Sequence, residues 1–164
     1  MNGPEKRTDI IVTFDVVLVY ATCKKTDADA VAILFEELSR IGINIDLISL
    51  IPPRHAAGIL SFTVFNYDFA KILRAVAKLK NSCDTMRMEV CGGYAKIALR
   101  GHYFAQETGI ISAFFSALRR ADSETMIISS SDTTIAALVP VEALDEVVAA
   151  LETAFPDAET EYHF

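Results

Sequence analysis

Cysteine, histidine and serine are the side chains in this sequence that could ligate a metal or act as a nucleophile with its base. The six cysteines and histidines are Cys23, Cys83, Cys91, His55, His102 and His163. The cysteines lack the CxxC spacing of a zinc or redox site, and the histidines have no second ligand at helical or hairpin spacing. The serines at 129–131 have no nucleophile-elbow pattern around them and fit a strand end and a tight turn. The residues therefore predict no metal, no cofactor and no catalytic centre in this chain.

The composition indicates a soluble globular protein. The chain has 164 residues, 52% of them apolar, so it can bury a core without metals or disulfides. A net charge of −7 with scattered Lys and Arg argues against a nucleic-acid surface, which needs clustered cations. No apolar run reaches the length of a membrane span, and the polar N-terminus does not resemble a signal peptide. The odd number of cysteines suits a reducing compartment, so we expect a cytoplasmic protein without nucleic-acid or membrane partners.

The predicted strands and helices occur in the same order in both halves of the sequence. Apolar residues at helical spacing alternate with runs rich in Val, Ile and Phe, which predicts β-α-β-β-α-β in the first half. The predicted elements are 10–20, 28–41, 43–51, 59–65, 68–79 and 85–90. The second half repeats the order with a strand, a helix, a hairpin, a helix and a short last strand. These elements are 94–100, 109–120, 125–129, 135–139, 141–155 and 159–164.

An internal repeat supports this division. The segment from Phe35 to Ser49 is echoed by the segment from Phe114 to Ser129, with an offset of 79 residues from Phe35 to Phe114. That length suits a small α/β module used twice. We therefore predict an α+β fold of two ferredoxin-like βαββαβ modules with antiparallel sheets, packed side by side. The modules are placed at 10–91 and 92–164, with a boundary near Gly92 and Gly93, and the last strand could complete either one.

Four segments of the chain resemble the paired ACT domains of aspartokinase regulatory regions. They are 42–49, 127–132, 139–145 and 150–155, and the resemblance covers nearly the whole chain. It implies that a small amino acid such as lysine or threonine binds where ACT modules meet and signals to a kinase domain. No kinase domain is present in the sequence, so the chain is either a stand-alone regulator or a regulatory piece of a longer enzyme. Two such modules also predict a homodimer.

The resemblance further implies an effector-binding loop before the first helix of each module. There a ligand carboxylate approaches backbone N–H groups at the helix N-terminus, and a glycine leaves that approach open. Gly109 matches the glycine of the family in the second half. Its loop gives the candidate effector-binding residues Gly101, His102, Tyr103, Thr108, Gly109 and Ile110. Thr108 replaces the usual proline, and its hydroxyl could cap the helix.

The first half departs from the family pattern. Its candidate residues are Thr26, Asp27 and Asp29, with Asp29 at the glycine position, where it would cap the helix and repel a ligand carboxylate. A Gln-Asn pair of the family is replaced by Leu50-Ile51. Asp46 either pairs with the ammonium group of an effector or faces water at a strand edge.

These observations lead to one expectation and one alternative. We expect a non-catalytic tandem ACT protein or fragment that binds a small amino acid at module interfaces and controls an aspartokinase-type kinase or another biosynthetic enzyme. The alternative is an effector-blind module that only dimerises or docks onto a partner, because Asp29, Leu50 and Ile51 remove polar ligand contacts.

Overall fold

The computed structural model describes residues 7–23, 28–51, 58–80 and 86–164. The described residues form seven strands: β1 Asp9–Cys23, β2 Ile48–Ile51, β3 Gly58–Phe65, β4 Met86–Arg100, β5 Ile127–Ser130, β6 Thr134–Pro140 and β7 Glu159–His163. Four helices accompany them: α1 Ala28–Arg40, α2 Phe69–Lys80, α3 Ile110–Arg120 and α4 Leu144–Ala154. The predicted α+β class and the repeated β-α-β-β-α-β order are confirmed.

The chain divides into two compact units. One unit is the continuous stretch Asp15–Gly92, and the other joins Gly93–Phe164 to the N-terminal residues up to Phe14. We call them the inserted unit and the split unit. One division between the units falls between Gly92 and Gly93, and residues 10–14 belong to the split unit. The reason is that Ile10 and Val12 are completely buried in the core of the split unit.

Two long strands run through both units. β1 is continuous from Asp9 to Cys23, and β4 joins the predicted strands 85–90 and 94–100 into one element. Each strand has a residue with positive φ at the unit boundary, Asp15 at 54° in β1 and Gly93 at 87° in β4. The two glycines, Gly92 and Gly93, predict a break between two strands. In the structure the strand continues through them, and Gly93 adopts a left-handed conformation within it.

The inserted unit has the strand order β2-β3-β1-β4. β1 and β3 are antiparallel from Val16 opposite Phe65 to Cys23 opposite Gly58. Helices α1 and α2 cover the sheet and bury Leu34, Leu38 and Ile72 against Val17, Val19 and Phe62. The predicted strand 43–51 is shorter, because β2 begins only at Ile48. The preceding segment is held to Thr63 instead of joining a regular ladder.

The split unit has the strand order β7-β1-β4-β6-β5. β4 and β6 are antiparallel from Tyr94 opposite Pro140 to Arg100 opposite Thr134. β7 completes this unit by pairing with residues 9–13 of β1, and this pair is parallel rather than antiparallel as expected. The core combines both sheet and helix residues, among them Ile97, Leu99, Phe114, Leu118 and Leu151.

Candidate functional site

The loop between β4 and α3 lies beside the turn between β5 and β6. β4 ends at Arg100, which is paired with Thr134 at the start of β6, so both connections occur at the same end of the sheet. A direct contact joins them, because the Gly101 amide donates to the Thr133 carbonyl at 2.8 Å. The antiparallel pairing of β4 and β6 therefore positions every residue of the site described below.

Gly109 is the N-cap residue of α3. Its φ of 103° and ψ of −15° lie in the left-handed region, which favours glycine. Its carbonyl accepts the Ala113 amide at 2.8 Å and so closes the first turn of the helix. Gly109 itself brings no side chain that could cap this end of α3. The N–H groups of the first turn point out of the helix there, and its dipole favours an anion.

A cavity of about 410 Å³ opens at this helix end. It is lined by the end of the β4–α3 loop, the start of α3 and the β5–β6 turn. Its lining residues are Phe104, Ala105, Glu107, Thr108, Gly109, Ile110, Ile111, Ser130, Ser131, Asp132, Thr134 and Ile135. Apart from its two chain neighbours, no described residue has a heavy atom within 4 Å of the position that a Cβ on Gly109 would take. A ligand can therefore reach the backbone of Gly109.

The lining has a clear chemical pattern. Glu107 and Asp132 contribute carboxylates, several hydroxyl groups surround them, and no Lys, Arg or His is present among the lining residues. The positive end of this site is the N-terminus of α3, where the helix dipole favours an anion. The cavity thus offers separate places for the carboxylate and the ammonium group of a zwitterion.

The loop itself is held by close packing at Gly101 and by a hydrogen bond at Tyr103. A Cβ on Gly101 would overlap the ring of Phe104, so only glycine fits this position. The Tyr103 hydroxyl lies 2.6 Å from the Thr8 hydroxyl, and its ring is perpendicular to that of Phe104. Tyr103 also lines a second cavity of about 260 Å³. The loop is therefore anchored to Thr8, the residue that precedes β1.

Ion pairs fix the start of β1 next to this loop. The buried Asp9 carboxylate accepts hydrogen bonds from Arg7 Nε at 2.9 Å and from Arg100 Nη2 at 2.9 Å. The hydrogen bond from Arg7 is the main cause of a lowered pKa for Asp9, while burial opposes the shift and Arg100 adds to it. Arg7 also contacts Glu159 at 2.8 Å and so connects β1 to the start of β7.

The candidate residues of the second half occupy four environments. Thr108, Gly109 and Ile110 line the 410 Å³ cavity, Tyr103 lines the smaller cavity together with Ile110, and Gly101 is buried at the base of the loop. His102 is exposed and lines neither cavity.

Only one candidate residue of the first half has a described side chain. Thr26 and Asp27 lie outside the described residues, and Asp29 lies in the first turn of α1, with its side chain outside the description. Asp46 is exposed in the segment before β2, within the inserted unit. It is not among the residues that line the 410 Å³ cavity.

Sequence reasoning missed the contribution of the β5–β6 turn. It assigned the serines at 129–131 to a strand end and a tight turn, but Ser130, Ser131 and Asp132 also line the cavity. The Ser131 hydroxyl accepts the Thr134 amide at 3.2 Å and shapes this turn. The predicted βαββ order could have indicated this contribution, because in that topology the turn between the second and third strands lies beside the loop that follows the first strand.

The described residues contain neither a cluster of metal ligands nor a membrane-spanning helix. No group of three or more His, Cys, Asp or Glu in the described part of the chain could hold a metal ion. Among the described helices, none has the length and apolar character needed to span a membrane.

Residues 76–153 match the family model of the ACT domain. The match covers just under half of the chain and includes all residues that line the 410 Å³ cavity. No curated protein matches the chain in sequence.

Solved structures of aspartokinase regulatory regions share the fold of this chain. The regulatory subunit of aspartate kinase from Thermus thermophilus superposes with a TM-score of 0.82 at 19% identity, covering 89% of this chain and 96% of that chain. The corresponding subunit from Thermus flavus gives 0.81 at 20% identity, with 92% and 99% covered. Aspartate kinase from Synechocystis gives 0.82 at 19% identity, covering 98% of this chain but 29% of the kinase. The chain therefore has the fold of a tandem ACT regulatory region.

Proposed function

We propose, from the ACT domain at residues 76–153 and the fold shared with aspartokinase regulatory subunits, that this chain is a non-catalytic regulatory protein that binds a small amino acid. The observation that carries the proposal is the N-terminus of α3. Gly109 adopts a left-handed conformation there and brings no side chain of its own, and the first turn lines a cavity of about 410 Å³.

The lining of the cavity suits a zwitterion. The ligand carboxylate would accept hydrogen bonds from the first-turn amides of α3, and its ammonium group would lie near Glu107 or Asp132. The volume lies in the range of small-molecule sites, and the hydroxyl groups of the β5–β6 turn can bind a polar side chain. An amino acid of the size of lysine or threonine satisfies these conditions.

We further propose that the regulated enzyme is of the aspartokinase type. The support is that the two Thermus relatives are described as regulatory subunits of aspartate kinase and are covered almost completely by this chain. In this proposal the chain is cytoplasmic, forms a homodimer through its ACT modules and acts on a separate or attached kinase. Kinase activity measured with and without the chain, in the presence of the bound amino acid, tests this part.

The amino-acid site is tested by thermal unfolding of the purified chain with each of the twenty amino acids. At a concentration of about 100 times the dissociation constant, binding adds roughly 2.7 kcal/mol to the stability of the native state. We expect one amino acid, or a small group of similar ones, to raise the Tm. Gly109→Asp should abolish the increase, because it places a negative charge where the ligand carboxylate binds.

Gly42→Asp is the matched control for Gly109→Asp. Gly42 also has a positive φ, 73°, and open space around it, but it lies in the inserted unit. Both substitutions strain the backbone in the same way, so both should lower the Tm without ligand. Only Gly109→Asp should remove the response to the amino acid. A panel without any increase in Tm, or an increase that survives Gly109→Asp, would contradict the site.

The alternative function is an effector-blind module that only joins chains. Exposed apolar residues on β2 favour it, since Leu50 and Ile51 are 48% and 55% exposed. A flat amino-acid panel combined with a stable dimer in sedimentation supports this alternative. A chain that binds an amino acid and loses that binding in Gly109→Asp excludes it.

A further inference from the structure

Helices α1 and α2 of the inserted unit enclose a groove of about 350 Å³. Ile41 and Ala75 provide its apolar surface. The charged lining residues are Glu37, Arg40, Lys71, Arg74 and Lys78. The three cations of α2 are spaced at i, i+3 and i+7, which places them on one side of the helix. We call this surface the basic groove.

Glu37 organises two of the four cations of the basic groove. Its Oε1 lies 2.7 Å from Arg40 Nη2 and 2.9 Å from Lys78 Nζ, so one carboxylate bridges α1 and α2. The hydrogen bond from Arg40, followed by that from Lys78, lowers the pKa of Glu37 to about 2. Glu37 is therefore an anion at any physiological pH, and it holds both cations at the groove.

The other two cations differ in their partners. Lys71 Nζ lies 2.6 Å from the buried carboxylate of Asp68. Arg74 donates from Nε to the carbonyl of Ala70 in its own helix at 3.1 Å, and no described carboxylate forms an ion pair with it. The guanidinium of Arg74 thus has donors left for an external carboxylate.

Charge is distributed unequally between the two units. The split unit contains 13 acidic and 6 basic residues, whereas the inserted unit contains nine of each, so the split unit holds the entire net charge of −7. Part of the acid excess lies on α4 and the turn before it, and α4 has no Lys or Arg. The exposed acids there are Glu142, Asp145, Glu146 and Glu152.

We propose that the basic groove binds the acidic face of α4 from a second copy of this chain. The apolar face of α4 is buried in the core of the split unit, so its acidic face is the one available to a partner. The exposed Ala149 lies between Asp145 and Glu152 on α4, and its small side chain lets the helix approach Ile41 and Ala75 closely. The flanking carboxylates then meet the cations of the groove, Arg74 among them.

This contact is independent of the amino-acid site. The basic groove belongs to the inserted unit, and the 410 Å³ cavity belongs to the split unit. The groove and α4 are different patches, so the contact between two copies is heterologous. Failure of either proposal leaves the other standing.

Sedimentation velocity of the full chain and its variants tests the contact. We expect wild-type association between about 1 and 100 µM, weakened at least tenfold when salt rises from about 0.05 to 0.5 M. Arg74→Glu and Asp145→Arg should each weaken association about tenfold or more. Combined in one chain, the two reversals should restore association to within about threefold of wild type, because the pair is re-formed with opposite polarity.

Arg87→Glu is the matched control, since Arg87 is an exposed cation of the inserted unit on β4 and does not line the groove. It changes the net charge as Arg74→Glu does and should leave association unchanged. If Asp145→Arg lowers the Tm, Asp145→Asn removes the same charge with a smaller change of shape and should also weaken association. A monomeric wild type, equal effects of Arg74→Glu and Arg87→Glu, or a double variant no better than its parents would overturn the proposal.

Discussion

Thr63 connects the core of the inserted unit to the segment that precedes β2. It is completely buried on β3, and its hydroxyl accepts the Leu47 amide at 2.9 Å. Its own amide and carbonyl also bond to Leu47 and Asp46, at 3.0 and 3.1 Å. This one residue therefore holds the short segment in which the sequence suggested a binding role for Asp46.

Thr63→Val is expected to destabilise the protein by about 1 to 3 kcal/mol. The substitution keeps the shape of the side chain but leaves the buried Leu47 amide without its acceptor. Urea unfolding of wild type and variant measures the difference in the free energy of unfolding. Thr63→Ser keeps the hydroxyl and is the control. Thr63→Ser should lose only the stability that the methyl group contributes. An equal loss of unfolding free energy in both variants would show that the hydrogen bond does not cause the destabilisation.

Asp9 should make stability depend on pH in the acid range. Its pKa in the folded protein is lowered, chiefly by the hydrogen bond from Arg7 and also by Arg100. A lowered folded pKa means that the stabilisation is complete above the unfolded pKa of about 4 and is lost as the pH falls through the folded value. Asp9→Asn should cost about 1 kcal/mol at pH 7, because the two arginines are partly exposed and the pair is screened.

The measurement is urea unfolding between about pH 7 and pH 2, with wild type and Asp9→Asn compared at each pH. The difference between the two proteins should shrink as the pH falls below about 4. Glu37, whose pKa is lowered to about 2, contributes equally to both proteins and cancels in the comparison. A difference that stays constant with pH would exclude a role for the charge of Asp9.

At the scale of the element, α1 and α3 end with the same motif built from different residues. In α1, Gly42 donates to Ser39 and Ile43 donates to Leu38, both at 3.0 Å. In α3, Asp122 donates to Arg119 and Ser123 donates to Leu118, both at 3.2 Å. Both caps need a left-handed residue, Gly42 at 73° and Asp122 at 51°, and only the first is glycine.

Asp122→Gly should therefore stabilise the protein by about 0.5 to 1 kcal/mol. Glycine removes the strain of a left-handed aspartate, and the change also removes a negative charge from the negative end of the helix dipole. The Tm and the urea midpoint measure the gain. Asp122→Asn separates the two effects, because it removes the charge and keeps a side chain. No gain from glycine would mean that the backbone strain at Asp122 is negligible.

The sequence predicts elements better than it predicts the site they build. Helices α1, α2 and α3 begin and end within about one residue of their predicted bounds, because their apolar spacing and the stop signal at Gly42 are local. Gly109 was identified through a family resemblance. The Ser130–Asp132 side of the cavity was missed, because its place depends on the register of β4 and β6, which no local pattern records.

At the scale of the whole molecule, the two halves of the sequence repeat and the two compact units contain different residues. The repeat suggests a single division near Gly92, whereas the compact units are also divided after Phe14. β1 is apolar on both sides of that point, with Val12 buried before it and Val16 buried after it. The positive φ of Asp15 marks the change of unit in β1. The residue type alone does not predict it, because aspartate adopts both negative and positive φ.

This arrangement predicts how fragments behave. Residues 15–92 contain all strands and helices of the inserted unit and should fold alone with a cooperative thermal transition. Residues 92–164 lack Ile10 and Val12 of the core and the strand that pairs with β7, so they should be partly unfolded or aggregate. Circular dichroism and thermal unfolding of both fragments measure this.

A chain in which a short glycine-containing turn replaces residues 15–92 is the control. It keeps residues 9–14 next to β4 and should recover the cooperative unfolding that the 92–164 fragment lacks. A fully cooperative 92–164 fragment would show that the N-terminal strand is dispensable.

The split unit also affects the order in which parts of the chain fold during synthesis at the ribosome. Its first strand emerges early, but Arg100, the partner of Asp9, follows 91 residues later, and Glu159 is separated from Arg7 by 152 residues. The inserted unit is complete as soon as β4 has been made, and it can fold while the C-terminal half is still being translated. The first strand of the split unit is thus among the last of its strands to be paired, and its pairing with β4 and β7 closes long loops.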